Sequence, residues 1–226
     1  MKHEKDISTH SALVVHSGGL DSTVALAWAL ESFGRVEAIC FRYGSKHNDR
    51  EIAAAEAICR KLGVPRSLID LSWIGAQFHS SLLRTGDAVP EGRYDAESMK
   101  STVVPFRNGI MLAAAAGFAE DRGLEAVVIG NHSGDHAIYP DCRRAFIDAM
   151  DRAIQAGTDG RTRVLSPFCD WDKARIVREG VRLGVDFSMT YSCYNGRERH
   201  CGRCGTCTER REAFELAGVP DPTLYE

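Results

Sequence analysis

The stretch SGGLDST at residues 17–23 decides how this chain folds. An apolar run at residues 12–15 precedes it and predicts a short buried parallel strand, and an amphipathic run at residues 23–33 predicts a helix. Two adjacent glycines let the backbone approach a ligand, and the helix N-terminus behind them adds partial positive charge. The stretch therefore predicts an anion-binding turn, in which Ser22 and Thr23 offer hydroxyl donors.

This turn differs from the two commonest phosphate-binding loops. It lacks the GxxxxGK[ST] spacing of a Walker A loop and the three glycines of a dinucleotide-binding fold. It resembles the PP-loop of the ATP pyrophosphatases, which holds the β- and γ-phosphates while ATP is cleaved to AMP and pyrophosphate. The resemblance implies that Asp21 acts near the phosphates through Mg²⁺. It also implies an ATP site made of His16, Ser17, Gly18, Gly19, Leu20, Asp21, Ser22 and Thr23. The alternative, a plain glycine turn with an Asp or Ser N-cap, does not account for both glycines.

Composition and charge exclude several classes of protein. The 226 residues are 44% apolar and 26% charged, which is ordinary for a globular domain with a core of its own. A net charge of −3 offers no global reason to bind nucleic acid or an anionic membrane. No apolar run approaches the roughly 20 residues that span a bilayer, and the polar start at residues 1–10 does not resemble a signal peptide. We therefore expect a cytoplasmic protein with no nucleic-acid or membrane partner.

Strands alternate with helices along the chain, which predicts a parallel sheet with ligands at the carboxyl ends of its strands. The predicted strands are at residues 12–15, 36–41, 66–71, 126–130 and 164–166. The predicted helices are at residues 23–33, 49–62, 109–122 and 172–183, with another ending near residue 156. The fold class is thus α/β, with a doubly wound five-stranded parallel sheet, and the PP-loop resemblance implies the adenine nucleotide alpha hydrolase-like form. A single domain is expected over residues 1–226, with a C-terminal appendage at residues 188–226.

The periodicity lapses at residues 72–102, where glycine, proline and charged residues accumulate. A loop of this length in a compact domain is mobile or functional. We expect a lid or an excursion near the active site, and a plain surface loop is an equally good interpretation.

Eight cysteines divide into two groups. Cys40, Cys59, Cys142 and Cys169 are scattered through apolar or mixed segments and are expected to be reduced, buried thiols. The other four, Cys193, Cys201, Cys204 and Cys207, share one short stretch with Gly202 and Gly205. Tight CxxC turns let sulfurs converge on one tetrahedral ion, so structural Zn²⁺ is the first interpretation. An iron–sulfur cluster has similar ligands and stays open, whereas a redox pair would leave two cysteines unexplained.

Polar residues around this cluster are expected to be solvated. His200 is interpreted as a loop histidine rather than a ligand, because four cysteines already complete the set. A zinc ribbon can also bind nucleic acid, but a charge run is more often a solvated face. That interpretation covers Arg197, Arg199, Arg203, Arg210 and Arg211.

Several motifs taken together resemble one family of PP-loop enzymes. SGGLDST, FRYGSKHNDRE, TVVPFRNGIML, GDHAIYPDCR, TYSCYNG and CGRCGTC occur in the order and spacing of the QueC family, from about residue 13 to residue 221. The resemblance implies that ATP activates 7-carboxy-7-deazaguanine and that ammonia displaces AMP to give an amide. A second adenylation then yields the nitrile, on the route to queuosine. It also suggests a homodimer. Residues 72–100 match no part of the pattern.

Further site candidates are inferred from their positions along the chain. Arg107 is a candidate for the substrate carboxylate or the phosphates, since a guanidinium pairs bidentately with either. Together with Asp21 and Lys173 it forms the predicted catalytic set, and the alternative for Lys173 is an exposed first-turn lysine. The substrate-binding candidates are Arg107, Asn108, Asp135, Tyr139, Asp141 and Arg143, of which Arg143 is equally a structural ion-pair partner. His47, His132 and His136 are weaker acid–base candidates.

Three other functions remain open at this point. A PP-loop tRNA-thiolating ligase would need a basic RNA-sized surface and a cysteine pair outside the zinc set. A non-enzymatic zinc ribbon would not need the intact phosphate loop or the adjacent Arg107 and Asn108. A related enzyme that acts on a different carboxylate would carry identical ATP and zinc motifs. We also expect the four-cysteine segment at residues 193–207, called the zinc knuckle below, to fix the last part of the chain beside the active site, because residues 191–193 come just after the final predicted helix.

Overall fold

The computed structural model describes residues 10–95, 97 and 99–226, so the predicted polar start lies outside the described residues except for its last position. Five parallel strands form one sheet in the order β3-β2-β1-β4-β5. The strands are β1 (Ser11–Val15), β2 (Arg35–Arg42), β3 (Arg66–Asp70), β4 (Ala126–Val128) and β5 (Arg163–Leu165). The predicted doubly wound five-stranded parallel sheet is confirmed.

Helices cover both faces of this sheet, which is why β1 is apolar at successive positions. The helices are α1 (Leu20–Ser32), α2 (Asn48–Leu62), α3 (Trp73–Gln77), α4 (Arg107–Asp121), α5 (Arg144–Gly157), α6 (Lys173–Arg182) and α7 (Gly205–Ala217). Ala12 and Val14 pack in the core with α1, α2, α6 and α7, whereas Leu13 points to the opposite core with α4 and α5. Alternate residues of β1 therefore pack into two separate apolar layers, one on each face of the sheet.

The strand order reverses at β1, which has β2 on one side and β4 on the other. In open α/β sheets, ligands bind outside the carboxyl ends of the strands at such a switch point. The SGGLDST turn follows β1 there, and the polar loop at residues 129–136 follows β4. The sheet topology therefore brings together two segments that are more than one hundred positions apart.

Two helices begin earlier than the sequence predicted. Helix α1 begins at Leu20, because Gly19 is extended (φ −75°, ψ 168°) and acts as the N-cap. Helix α4 begins at Arg107, where the backbone N–H of Asn108 donates to Asp141 Oδ2 at 2.8 Å. That carboxylate is the anionic group a basic first turn requires.

Residues 100–121 are long and apolar enough, by composition alone, to cross a membrane. Half of the most apolar window is buried inside the fold, and α4 packs against β1 and β4. Its burial and packing are therefore those of a core helix of this fold, which passes the same test by length and composition.

Helix α7 was not predicted from the sequence, for which the last predicted helix was at residues 172–183. Cys204 is its N-cap residue and Cys207 lies in its first turn, so cysteine spacing masked the helical pattern. Ala213 and Phe214 enter the same apolar layer as α1 and α6. The C-terminal segment thus packs on the main sheet layer.

The expected solvated surface around the cysteines is wrong for two residues. Arg210 is fully buried and donates to Asp221, Thr190, Ser192 and the carbonyl of Phe187. His200 is buried between aromatic rings, and its Nε2 accepts from the backbone N–H of Ser192 at 2.9 Å. Both side chains brace the segment that precedes the knuckle.

Replacing Arg210 by methionine is expected to destabilise the fold by about 3–5 kcal/mol, because Asp221 loses its buried partner and three further acceptors lose a donor. Chemical denaturation of the two proteins measures this difference. Arg211→Met is the neighbouring comparison, and an equal loss in both variants would contradict a special role for Arg210.

Candidate active site

The phosphate loop is held by its own hydroxyls and by helix α2. Gly18 has a left-handed φ of 83°, and a Cβ there would lie 2.5 Å from the backbone nitrogen of Ala55. Ser17 Oγ accepts from the backbone N–H of Gly19 at 3.2 Å and contacts Ser22 Oγ at 3.1 Å. Only glycine satisfies both the conformation and the close approach at position 18.

The residues behind the loop are structural. Thr23 Oγ1 donates to the carbonyl of Gly19 at 2.7 Å and lies 3.2 Å from His16 Nε2. His16 is fully buried, and burial lowers its pKa to about 4, so the ring is neutral. Of the eight residues predicted to bind ATP, Ser17, Gly19, Leu20, Asp21 and Ser22 line the cavity with His16.

Asp21 contacts a lysine from a distant helix. Its Oδ2 lies 3.2 Å from Lys173 Nζ in the first turn of α6. The Lys173 side chain is only 13% exposed, so the alternative of an exposed surface lysine is wrong. Burial alone would lower the pKa of Lys173, but Asp21 and Glu209 raise it above its usual value. Lys173 therefore stays charged beside the phosphate loop.

Glu209 on α7 completes this group and was missed by the sequence analysis. Its Oε2 lies 2.6 Å from Lys173 Nζ, and its Oε1 lies 3.7 Å from His132 Nε2. His132 accepts from the backbone N–H of Gly134 at Nδ1, which leaves its Nε2–H facing the carboxylates. In the sequence, Glu209 stands out only because it comes two residues after the last cysteine. That position indicates a site residue only once it is known that helix α7 begins at the cysteine cluster.

Asp135 contacts His132 of the charged group just described and also the segment at residues 72–102, called the excursion below. Its Oδ2 lies 3.6 Å from His132 Nε2, and its Oδ1 accepts from Tyr94 OH at 2.8 Å. Glu91 pairs with Arg203 and forms a β-bridge with Cys204, which ties the excursion to the knuckle. Tyr94 thus brings the segment 72–102 into the active-site wall.

Arg107 lines the same cavity. Its Nη1 donates to Tyr43 OH at 3.3 Å, and the guanidinium lies 5.6 Å from the centre of the Tyr43 ring. No carboxylate lies within 4.0 Å of it in the part of the chain that the structure describes. An arginine held by a neutral phenol in a cavity wall is available to an incoming anion.

The remaining predicted substrate residues divide by location. Asn108, Asp135 and Tyr139 line the cavity, whereas Asp141 bonds the N-terminus of α4 instead. Arg143 is exposed outside the cavity and donates from Nε to the carbonyl of His136 at 2.8 Å. The structure therefore brings together three of these five candidates with Arg107.

One cavity of about 210 Å³ connects these features. Its lining includes the phosphate loop, Lys173 and Asp135 together with Arg107, Tyr43 and Tyr194. Ser192 also lines it, and Tyr191 donates its backbone N–H to the carbonyl of Gly18 at 2.9 Å. The expectation that this part of the chain lies beside the active site is confirmed.

The four C-terminal cysteines converge as predicted. All are buried, and their Sγ atoms lie within 4.8 Å of one another. The Sγ atoms of Cys201 and Cys207 are 4.0 Å apart, close to the about 3.8 Å that tetrahedral Zn–S bonds of about 2.3 Å require. Backbone N–H groups of Arg203 and Cys204 point at Cys201 Sγ. The donor set therefore fits a structural metal ion, and His200 is not part of it.

The other four cysteines are free and buried, which confirms their prediction as reduced thiols. Burial raises the pKa of Cys40 to about 12, so this cavity-lining thiol stays protonated. Neither observation favours cysteine-based sulfur transfer.

The fold, the loop and the cavity define a nucleotide-binding protein of the PP-loop class. Two solved structures share this fold: NMN synthetase from Francisella tularensis (TM-score 0.54, 12% identity, 93% of this chain and 78% of that one) and a 4-thiouridine synthetase–RNA complex with bound ATP (TM-score 0.51, 18% identity, 92% of this chain and 50% of that one).

Within this class, the chain belongs to the queuosine biosynthesis protein QueC family, whose model matches residues 11–218. It is 52% identical to a 7-cyano-7-deazaguanine synthase of Porphyromonas gingivalis over the full length of both chains. It is 50% identical to the enzyme of the same name from Brucella anthropi, over 95% of this chain and 93% of the relative.

Proposed function

We propose that this protein is an ATP-dependent ligase that converts 7-carboxy-7-deazaguanine and ammonia into 7-cyano-7-deazaguanine. The observation that carries the proposal is that one cavity is lined by the phosphate loop and by Arg107, which has no carboxylate partner among the described residues. Relatives about half identical over nearly the whole chain support the choice of substrate.

The first task of the site is to bind ATP as a metal complex. Asp21 Oδ1 is buried and has no hydrogen-bond partner in the described part of the chain, which fits a direct ligand for Mg²⁺. Bound Mg²⁺ would supply charge neutralisation on the phosphates. Lys173, held by Asp21 and Glu209, stabilises negative charge that develops as pyrophosphate leaves.

The second task is to hold a carboxylate against the α-phosphate. Arg107 pairs with the substrate carboxylate, and the cavity tyrosines Tyr43, Tyr139 and Tyr194 offer flat surfaces to a purine-like base. A carboxylate oxygen is a poor leaving group, so adenylation makes it replaceable by ammonia. A second adenylation activates the amide oxygen in the same way.

The four-cysteine cluster is proposed to hold one Zn²⁺ in a structural role. With four soft ligands it leaves no open position for chemistry. Its role is to seat the start of α7, which carries Glu209 to Lys173. The cluster would therefore affect the active site indirectly, by fixing the position of α7 and so of Glu209.

The remaining properties are predictions from the sequence and the family resemblance. We expect a cytoplasmic homodimer with small-molecule substrates and no nucleic-acid partner. Light scattering of the purified protein tests the dimer, and a filter-binding assay with transfer RNA tests the last point.

The test of the function is a mass-spectrometric assay with Mg-ATP, ammonium and 7-carboxy-7-deazaguanine. The nitrile should appear together with AMP and pyrophosphate. AMP formation that ends at the amide would indicate a redirected ligase. No substrate-dependent AMP from folded, metal-loaded protein would overturn the proposal.

Replacing Arg107 by lysine is expected to raise KM for the carboxylate substrate about tenfold or more, because an ammonium cannot form the two parallel bonds of a guanidinium. KM for ATP should change much less, since the phosphate loop is untouched. Steady-state kinetics with each substrate varied measures the two effects. Arg152→Lys, on the exposed face of α5, is the control, and an equal rise in both KM values would contradict the assignment.

A further inference from the structure

Glu51 is a carboxylate of the cavity wall that the steps above do not use. It lies in the first turn of α2, lines the cavity, and its side chain is 17% exposed. Among the described residues, its only contact within 4.0 Å to a basic side chain is His47 Nε2, at 3.6 Å from Oε2. The cavity carboxylates Asp21, Asp135 and Glu209 are instead engaged by Lys173, His132 or Tyr94. Glu51 is therefore the cavity carboxylate that is free to exchange a proton.

Its position lies between the two halves of the site. The backbone carbonyl of Glu51 would be 2.6 Å from a Cβ on Gly18, so the first turn of α2 packs directly on the phosphate loop. On the other side a chain of contacts runs from Arg107 Nη1 to Tyr43 OH (3.3 Å), to His47 Nε2 (3.1 Å) and on to Glu51. A carboxylate bound at Arg107 and a phosphate bound at the loop would place their junction near Glu51.

The proposed reaction releases protons at that junction, and this inference rests on the proposed function. When ammonia attacks the acyl adenylate, a C–N bond forms, the adduct loses a proton from nitrogen, and the C–O bond to AMP breaks. When the amide oxygen is adenylated, one N–H proton leaves and a neutral imidate forms. When this imidate becomes the nitrile, the remaining N–H proton leaves as the C–O bond to the second AMP breaks. We propose that the Glu51 carboxylate accepts these protons and passes them to solvent.

The neighbours of Glu51 fit this role. Burial and Arg107 lower the pKa of His47 to about 3, so this ring stays neutral and does not store a proton. Tyr43 OH accepts from Arg107 and lies 3.1 Å from His47 Nε2, the atom that also faces Glu51 Oε2 at 3.6 Å. The groups that face Glu51 from the packed elements are Cys40 and Tyr43 from the β2 side, His47 of its own turn, and Arg107 of α4.

The titration of Glu51 suits a proton acceptor near neutral pH. Burial raises its pKa to about 8, and Arg107 opposes part of that rise. A base must be ionised to act, so the rate of a step that needs it should increase as pH rises through about 8. The amide-to-nitrile step isolates this effect, because free ammonia does not enter it.

The experiment compares Glu51→Gln with the native protein in two assays. Carboxylate-dependent exchange of pyrophosphate into ATP reports the first adenylation, and conversion of 7-amido-7-deazaguanine to the nitrile reports proton removal. Exchange should stay within about threefold, whereas nitrile formation should fall about a hundredfold or more and lose its rising pH limb. Glu56→Gln, on the same helix and paired with Arg60, is the matched control and should retain both activities.

A second variant separates chemistry from folding. Glu51→Ala should regain part of its nitrile formation when formate is added, because a small carboxylate can enter the space of the lost side chain. Glu56→Ala should show no response to formate. Two results would overturn the assignment of Glu51: nitrile formation at the native rate and pH profile in Glu51→Gln, or no formate response in a folded Glu51→Ala. In either case, pyrophosphate exchange by the native protein would still support the proposed function. Absence of exchange in the native protein would overturn the proposed function and this inference with it.

Discussion

Replacing Asp21 by asparagine is expected to lower the rate of AMP formation about a thousandfold. The substitution keeps the shape of the side chain but removes the charge that lies 3.2 Å from Lys173 Nζ. It also replaces the orphaned Oδ1, the proposed ligand for Mg²⁺, by a weaker oxygen or by an amide nitrogen. Substrate-dependent release of AMP, measured at saturating Mg-ATP, reports the loss.

The control for this variant is Asp148→Asn, which makes the same change on the exposed face of α5. Both proteins should remain folded, since Lys173 keeps its contact with Glu209 at 2.6 Å when the charge of Asp21 is removed. AMP release by Asp21→Asn within tenfold of the native rate would contradict the placement of Asp21 at the phosphates.

Replacing Cys204 by serine is expected to abolish stoichiometric zinc and to cost folding and solubility more than chemistry. Structural zinc supplies about 10–16 kcal/mol in zinc-finger peptides, comparable with the about 5–15 kcal/mol that separates a whole domain from its unfolded state. Cys204 is also the N-cap of α7, so loss of the metal releases the helix that carries Glu209 and Arg210. Metal analysis and thermal unfolding of the soluble fraction measure the two consequences.

Cys169→Ser provides the comparison, because it changes an equally buried thiol outside the cluster. Its hydroxyl can keep the contact to the carbonyl of Cys142, so zinc should be retained with a modest loss of stability. A stable, metal-free and inactive Cys204→Ser protein would show instead that the metal takes part in the chemistry.

The parts of the site that the sequence predicted correctly are local. The phosphate loop lies within seven consecutive residues, and the four cysteines lie within fifteen, from Cys193 to Cys207. Each motif combines particular residue types at a short spacing. Because the backbone between its members is short, their side chains have to lie close together in the fold. The alternation of strands and helices likewise predicted the sheet, since each element has to bury an apolar face.

Other residues looked ordinary in the sequence. Glu51, Glu209 and Arg210 belong to charged helical segments of the kind that usually face solvent. Their burial results from packing against the phosphate loop, Lys173 and Asp221, which lie outside the helix that carries each residue. Helix α7 was missed for a related reason, because Cys204 at its N-cap and Cys207 in its first turn belong to the four-cysteine cluster that dominates the sequence pattern there.

Short-range sequence patterns were enough to predict the fold class, the phosphate loop and the four-cysteine cluster, because each depends on interactions between near neighbours. Which charged groups share a cavity depends on the tertiary fold. Strand order places α6 beside the loop that follows β1, and the knuckle directs α7 so that Glu209 reaches Lys173. The sequence around a charged residue does not show which distant residues will pack against it and remove it from water. Only the folded structure therefore distinguishes Glu51 and Lys173 from the solvated charged residues near them in the sequence.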